Sequence, residues 1–281
     1  MTIYRFNSPG EFARACTKIP KSFFPEDSSA KSWTGETSKE SMDGVIYGNN
    51  KYVDEAEKIL NKLYAEIDIP YPTWQSSMQG AYPMVPDYLM GEPESMKKLE
   101  EEDNTRNPIT IYYVTSSSAG HSWENLLKKG IAALALGMVL SKTRPINFKL
   151  VATLDGKSSD KCSLIEINVN LNDLSLATAA YAIASTGFDR NLTHTYATFH
   201  NGFSGHWAWF SYPDSDTYWY NLRKALDIKN DDILIKGAFL TDELIVKDPI
   251  LWCKQEIEKF MLKSHLENND TPITKQKNKF K

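Results

Sequence analysis

With 281 residues, of which 41% are apolar and 12% aromatic, the chain has enough apolar side chains for a substantial core, which excludes a disordered protein. A net charge of −4 excludes a polycation that coats duplex DNA by charge alone, so any nucleic-acid contact has to be local. Cys16, Cys162 and Cys253 lie far apart in no metal-type spacing, which argues against a disulfide scaffold or zinc module and for reduced thiols.

The start Met1-Thr2-Ile3-Tyr4-Arg5-Phe6 lacks the basic and apolar regions of a signal peptide, and no apolar run has membrane-spanning length. A cytoplasmic protein without membrane contact is therefore expected. Residues 1 to about 45 mix Lys, Ser, Glu and Gly with scattered aromatics and read as an extended, partly irregular lead-in. Val53, Ala56, Leu60, Leu63 and Ile67 then recur at three- and four-residue steps, predicting a helix over 51–66 that ends before Ile69-Pro70-Tyr71-Pro72. Gly80 to Tyr88 holds too many prolines for a central strand and predicts an ordered loop or edge segment. The charged stretch Glu92 to Asp103 predicts a solvated helix or loop.

Ile109 to Val114 reads as a strand from its β-branched and aromatic content. It runs into Thr115-Ser116-Ser117-Ser118-Ala119-Gly120, after which Ser122 caps a helix with Leu126, Leu127, Ile131, Leu134, Ala135 and Met138 on its apolar face. Phe148–Leu154 and Cys162–Leu171 form an antiparallel hairpin about the polar turn Asp155 to Asp160. Helices are expected at 174–184 and 192–199, a strand at 232–240 and a proline-started helix at 249–262. This order predicts an α/β fold with a mainly parallel sheet, one antiparallel hairpin and three layers. The domain reading is an N-terminal extension over 1–104, a core domain over 105–264 and a basic flexible tail over 265–281.

Ser32-Trp33-Thr34-Gly35, Gly80-Ala81-Tyr82-Pro83-Met84-Val85-Pro86 leading to Gly91-Glu92-Pro93, and Ser116-Ser117-Ser118-Ala119-Gly120 resemble an uncharacterised family of tailed-phage and prophage proteins. That resemblance covers roughly residues 30 to 260 and implies no catalytic residue. The order of elements around the serine loop also resembles the von Willebrand factor A-like, Rossmann-like fold. In that fold Asp-x-Ser-x-Ser and a later Asp hold a divalent cation. Here Ser116 and Ser118 take the serine places, Val114 takes the aspartate place, and Asp242 stands for the later acid. A hard cation needs anionic oxygen ligands, so losing the first carboxylate argues for a structural serine turn and for no metal or other cofactor.

Enzymatic patterns are incomplete. His194, His200 and His206 recur every six residues, which does not align them on one helix face. His121 beside Ser116–Ser118 has neither a nucleophile elbow nor an identifiable orienting acid. No phosphate-binding glycine motif occurs. A non-enzymatic protein is expected, with a hydrolase as the third reading.

The densest feature is His206-Trp207-Ala208-Trp209-Phe210-Ser211-Tyr212, followed by Tyr218-Trp219-Tyr220 with Arg223 and Lys224. Aromatics with nearby cations suit stacking of unpaired bases and a salt-dependent backbone contact. The tail cations Lys275, Lys277, Lys279 and Lys281 add charge. Against this, Trp207 and Trp209 alternate like the inward face of a strand, which favours core packing for that pair, and a lysine tail is an ordinary solubilising end. The leading expectation is a phage accessory protein that binds single-stranded DNA or RNA and recruits replication or transcription machinery such as a phage polymerase. The second is a von Willebrand A-like protein-interaction module with a degenerate or absent metal site.

Overall fold

A computed structural model describes residues 2–66, 74–77, 82–83, 85–93, 95–99, 108–116, 122–141, 144–154, 163–171, 174–200, 216–237 and 244–269. Strand β1 (Thr2–Phe6) leads into α1 (Pro9–Cys16), where the Ser8 hydroxyl accepts the Glu11 N–H and Pro9 opens the first turn. A 3-10 turn at Lys21–Phe23 precedes α2 (Asp27–Thr34), which stops on Gly35 at φ 80°, a left-handed position that favours glycine. Helix α3 (Ser38–Tyr47) opens with a reciprocal cap: Thr37 Oγ1 accepts the Glu40 N–H while the Glu40 carboxylate accepts the Thr37 N–H. These short capped elements replace the irregular lead-in expected for residues 1–45. The predicted helix over 51–66 is α4 (Asn50–Glu66).

Strand β2 (Trp74–Ser77), strand β3 (Tyr82–Pro83), the short helix α5 (Val85–Leu89) and strand β4 (Met96–Leu99) follow. The three strands form a separate antiparallel sheet in the order β2-β4-β3. The charged 92–103 stretch thus contributes its central strand, a correction to the solvated helix or loop expected there.

Strand β5 (Ile109–Val114) feeds α6 (Trp123–Leu140), and β6 (Ile146–Leu154) with β7 (Ser163–Val169) makes the antiparallel pair. Helix α7 (Leu176–Ala184), a π-helical turn at Phe188–Thr193 and α8 (His194–His200) come next. After them stand α9 (Asp216–Leu226), β8 (Ile233–Ile235), α10 (Leu244–Lys247) and α11 (Pro249–Asn269). The strand expected over 232–240 is described as the shorter β8. The main sheet has the order β1-β7-β6-β5-β8, parallel throughout except for β6 against β7. The fold class is therefore α/β with a mixed, mostly parallel sheet.

Successive side chains of a strand point to opposite faces, and here both faces are buried. Ile111 and Tyr113 of β5, Leu150 of β6 and Ile165 and Ile167 of β7 enter a large cluster with α1, α4, α6, α7 and α11. Tyr112, Val114, Val151 and Leu164 enter a smaller cluster with Trp219, Leu222 and Leu226 of α9. Phe12, Val45, Leu60 and Leu63 join the first 66 residues to β5, β6, β7, α6 and α7 in the large cluster.

Beyond its first two turns, where Glu124 and Lys128 are exposed, helix α6 is buried on nearly every side and packs on α4, α7, α10 and α11. Gly130 permits the approach of α7: a Cβ there would stand 2.4 Å from Ala184 Cα and 2.7 Å from the Ile183 carbonyl oxygen. Gly130→Ala is expected to cost about 1–3 kcal/mol by overpacking, read as a lower Tm. An unchanged Tm would refute this close packing.

Candidate functional site

In open α/β sheets ligands settle outside the C-terminal ends of the strands, where neighbouring connections diverge. Strand β5 has that position, with β6 on one side and β8 on the other. Thr115 and Ser116 leave it directly, and both are buried. Ser116 Oγ accepts the Thr153 N–H at 2.8 Å and donates to the Thr153 carbonyl at 3.2 Å, extending the β5–β6 pairing by a side chain. That hydroxyl is engaged by the sheet. Val114, at the place matched to the first acid of the von Willebrand A-like pattern, is fully buried and apolar. Ser118, Asp242, His121 and His206 lie outside the described residues. Among the described residues no group of three or more His, Cys, Asp or Glu could hold a metal.

The π-helical turn brings a carboxyl to this strand end, and such turns are frequent at functional sites. Thr115 Oγ1 donates to Asp189 Oδ1 at 2.7 Å, and Thr193 Oγ1 donates to the same oxygen at 3.2 Å. Asp189 Oδ2 is buried without a hydrogen-bond partner. Burial pushes the Asp189 carboxyl above the usual range, while the two hydroxyls and the charges of Arg190 and His194 oppose the shift. Burial likewise lowers the Arg190 guanidinium, which Asp189 opposes. Arg190 donates to the Trp33 carbonyl at 3.1 Å and lies 5.1 Å from the Trp33 ring centre.

In the same turn, Asn191 Nδ2 donates to Ser41 Oγ at 2.9 Å and Thr34 Oγ1 at 3.1 Å. Beside it the Glu36 carboxylate accepts from Tyr52 at 2.7 Å and from Tyr181. Burial, then the Glu36 charge, pushes both phenols well above their ordinary value, so they remain donors. Gly187 makes room for the group, because a Cβ there would stand 2.4 Å from Ser41 Oγ and 2.5 Å from Glu36 Oε2. The arrangement locks α2 and α3 onto α7. The Thr115 hydroxyl, donating to the Asp189 carboxyl, anchors the end of β5 to the π-helical turn. Sequence reading passed over Asp189, Arg190 and Asn191, although a polar triplet within an apolar helical run was a usable signal.

Helix α9 carries the stacking candidates. Trp219 is buried in the smaller cluster, with the Lys236 ammonium 5.2 Å from its ring centre. Tyr220, Arg223 and Lys224 are exposed at positions i, i+3 and i+4, one outward stripe of the helix. Tyr220 is 66% exposed. Trp207, Trp209, Lys275, Lys277, Lys279, Lys281 and the Tyr218 side chain lie outside the described residues. Of the spaced histidines, His194 is buried edge-on to Trp33 at 6.2 Å between ring centres, and His200 is exposed.

An acid whose folded pKa exceeds its unfolded one stabilises the fold fully below the unfolded value, and loses that contribution as pH rises through the folded value. Asp189, with an ordinary value of 3.8, therefore erodes stability above that pH. Asp189→Asn keeps an acceptor for Thr115 and removes the titration, so its Tm relative to wild type should rise from about pH 4 toward neutrality. Parallel Tm profiles would contradict this.

No helix of the described residues is long and apolar enough to cross a membrane. Comparison with curated proteins and with solved structures gives no match. A family model described as a domain of unknown function, DUF7192, matches residues 1–244, and the chain belongs to that family.

Proposed function

We propose that the chain is a non-catalytic, phage-encoded cytoplasmic protein that holds single-stranded DNA or RNA on α9 and recruits replication or transcription machinery. The observation carrying this reading is the division of α9 into two faces. Trp219, Leu222 and Leu226 turn toward the sheet, while Tyr220, Arg223 and Lys224 turn outward. A tyrosine ring one turn from two cations offers an unpaired base a stacking surface worth about 1–3 kcal/mol, and the cations a backbone contact. Trp219 belongs to the packing in this scheme, so its replacement reports on folding.

The test is fluorescence anisotropy with labelled single-stranded and duplex oligonucleotides at two salt concentrations. Tyr220→Ala is expected to weaken single-strand binding about fivefold or more. Arg223→Ala with Lys224→Ala should shallow the salt dependence by about 0.7 for each phosphate that is no longer neutralised. Wild-type protein that binds no single strand at low salt sinks the proposal.

A second reading, a von Willebrand A-like interaction module in a three-layer sandwich, is favoured by strand order. The run β7-β6-β5-β8 has β7 antiparallel and β5 between β6 and β8, and helices pack on both faces of the sheet. The engagement of Ser116 by Thr153 suits a module without a metal. A stoichiometric protein complex that survives chelator and excess oligonucleotide supports this reading. A complex displaced by oligonucleotide returns the choice to the first.

A further inference from the structure

Helix α8 ends in an aromatic surface unrelated to the polar group at Asp189. His200 is exposed, with its imidazole 4.2 Å from the Tyr196 ring, 5.0 Å from Phe199 and 5.4 Å from Tyr4 between ring centres. Tyr196 is buried against Phe6 and Phe12, and Phe199 packs on Phe23, so the cluster is rigidly backed. Burial lowers the His200 pKa, which favours the neutral ring near neutrality.

The elements behind the cluster carry charge. Helix α1 and the Lys21–Phe23 turn pack on α8, and Arg14, Lys21 and Lys18, which lies between the two elements, are exposed. None of the three pairs with a carboxylate among the described residues. Glu26 and Asp27, exposed where α2 begins, limit the extent of that patch. Unpaired cations on elements that pack against α8, together with its exposed, backed ring, suit a flexible polyanion with unpaired bases. A duplex keeps its bases stacked on one another and offers the ring no face.

Position relates this surface to α9. Ile3 and Tyr4 are neighbours on β1, yet Ile3 packs with the cluster of Trp219 while Tyr4 packs with Tyr196. Edge strand β1 thus divides the two aromatic surfaces, and Arg5 is exposed upon it. Three strand spacings, about 14 Å, separate β1 from β5 beneath α9.

We infer that the His200 cluster is a second base-stacking contact, reached by a single strand that leaves α9 and passes around the β1 edge toward Lys18 and Lys21. This rests on the nucleic-acid reading of α9 and extends its footprint. The test is anisotropy with a labelled oligo-dT length series, using wild type, His200→Ala, the Lys18→Ala/Lys21→Ala pair and Tyr220→Ala, each first checked for an unchanged Tm. His200→Ala is expected to weaken long strands about fivefold or more, an effect that grows with strand length. The lysine pair should lower the salt slope by about 0.7 for each phosphate it ceases to neutralise. Photo-crosslinking of the wild type should yield a nucleotide adduct on the peptide containing His200. If Tyr220→Ala weakens binding while His200→Ala and the lysine pair bind as wild type without such an adduct, this inference falls and the α9 reading stands. If wild type binds no strand of any length, both fall.

Discussion

Burial of α6 on nearly every side is the constraint from which the remaining arrangement follows. One face of that helix meets the sheet through β5 and β6, and its other faces need α4, α7, α10 and α11 to exclude water. Lys129, within the buried stretch, reaches the Lys236 carbonyl at the end of β8 at 2.5 Å and so ties the helix to the sheet's far edge. Bringing α7 against Gly130 carries the π-helical turn to the end of β5, which is how Asp189 comes to meet Thr115. The polar assembly there results from helix packing. Its hydrogen bonds satisfy Thr115, Thr193 and one oxygen of Asp189, while Asp189 Oδ2 stays unpaired.

The middle of the fold was legible in the sequence because its signals are local and long. The strand 109–114 and the hairpin strands read as runs of β-branched and aromatic residues, the helix from Ser122 as a cap followed by a long apolar run, and the structure buries all of them. The first 47 residues were not, because α1, α2 and α3 are too short to establish a period and are defined by caps at Ser8, Thr37 and Gly35. Strand β4 reads Met-Lys-Lys-Leu, a composition without strand alternation, and exists through backbone pairing to β2 and β3. A π-helical turn has no sequence period of its own, so Asp189 could be noticed only as an acid in apolar company.

The candidate site was legible to the same degree. Spacing alone divides α9 into Trp219 on one side and Tyr220, Arg223 and Lys224 on the other, but which side met the sheet depended on Tyr112, Val114 and Leu164, distant in sequence. His200 gave no pattern with His194 and His206, because Tyr4, which packs on its ring, comes from a strand that the fold alone brings to α8.

Strand β1 pairs in parallel with β7, and the linked residues Arg5 and Glu166 stand 161 positions apart. During synthesis at about 5–20 residues per second, β1 has no edge to join for roughly ten to thirty seconds. Until β7 emerges, Ile3, Tyr4 and Phe6 form an apolar segment without its shelter, open to chaperones on the ribosome. Completion of the sheet is therefore timed by translation of the hairpin, and slowing the ribosome ahead of residue 163 would lengthen the interval in which that segment is exposed.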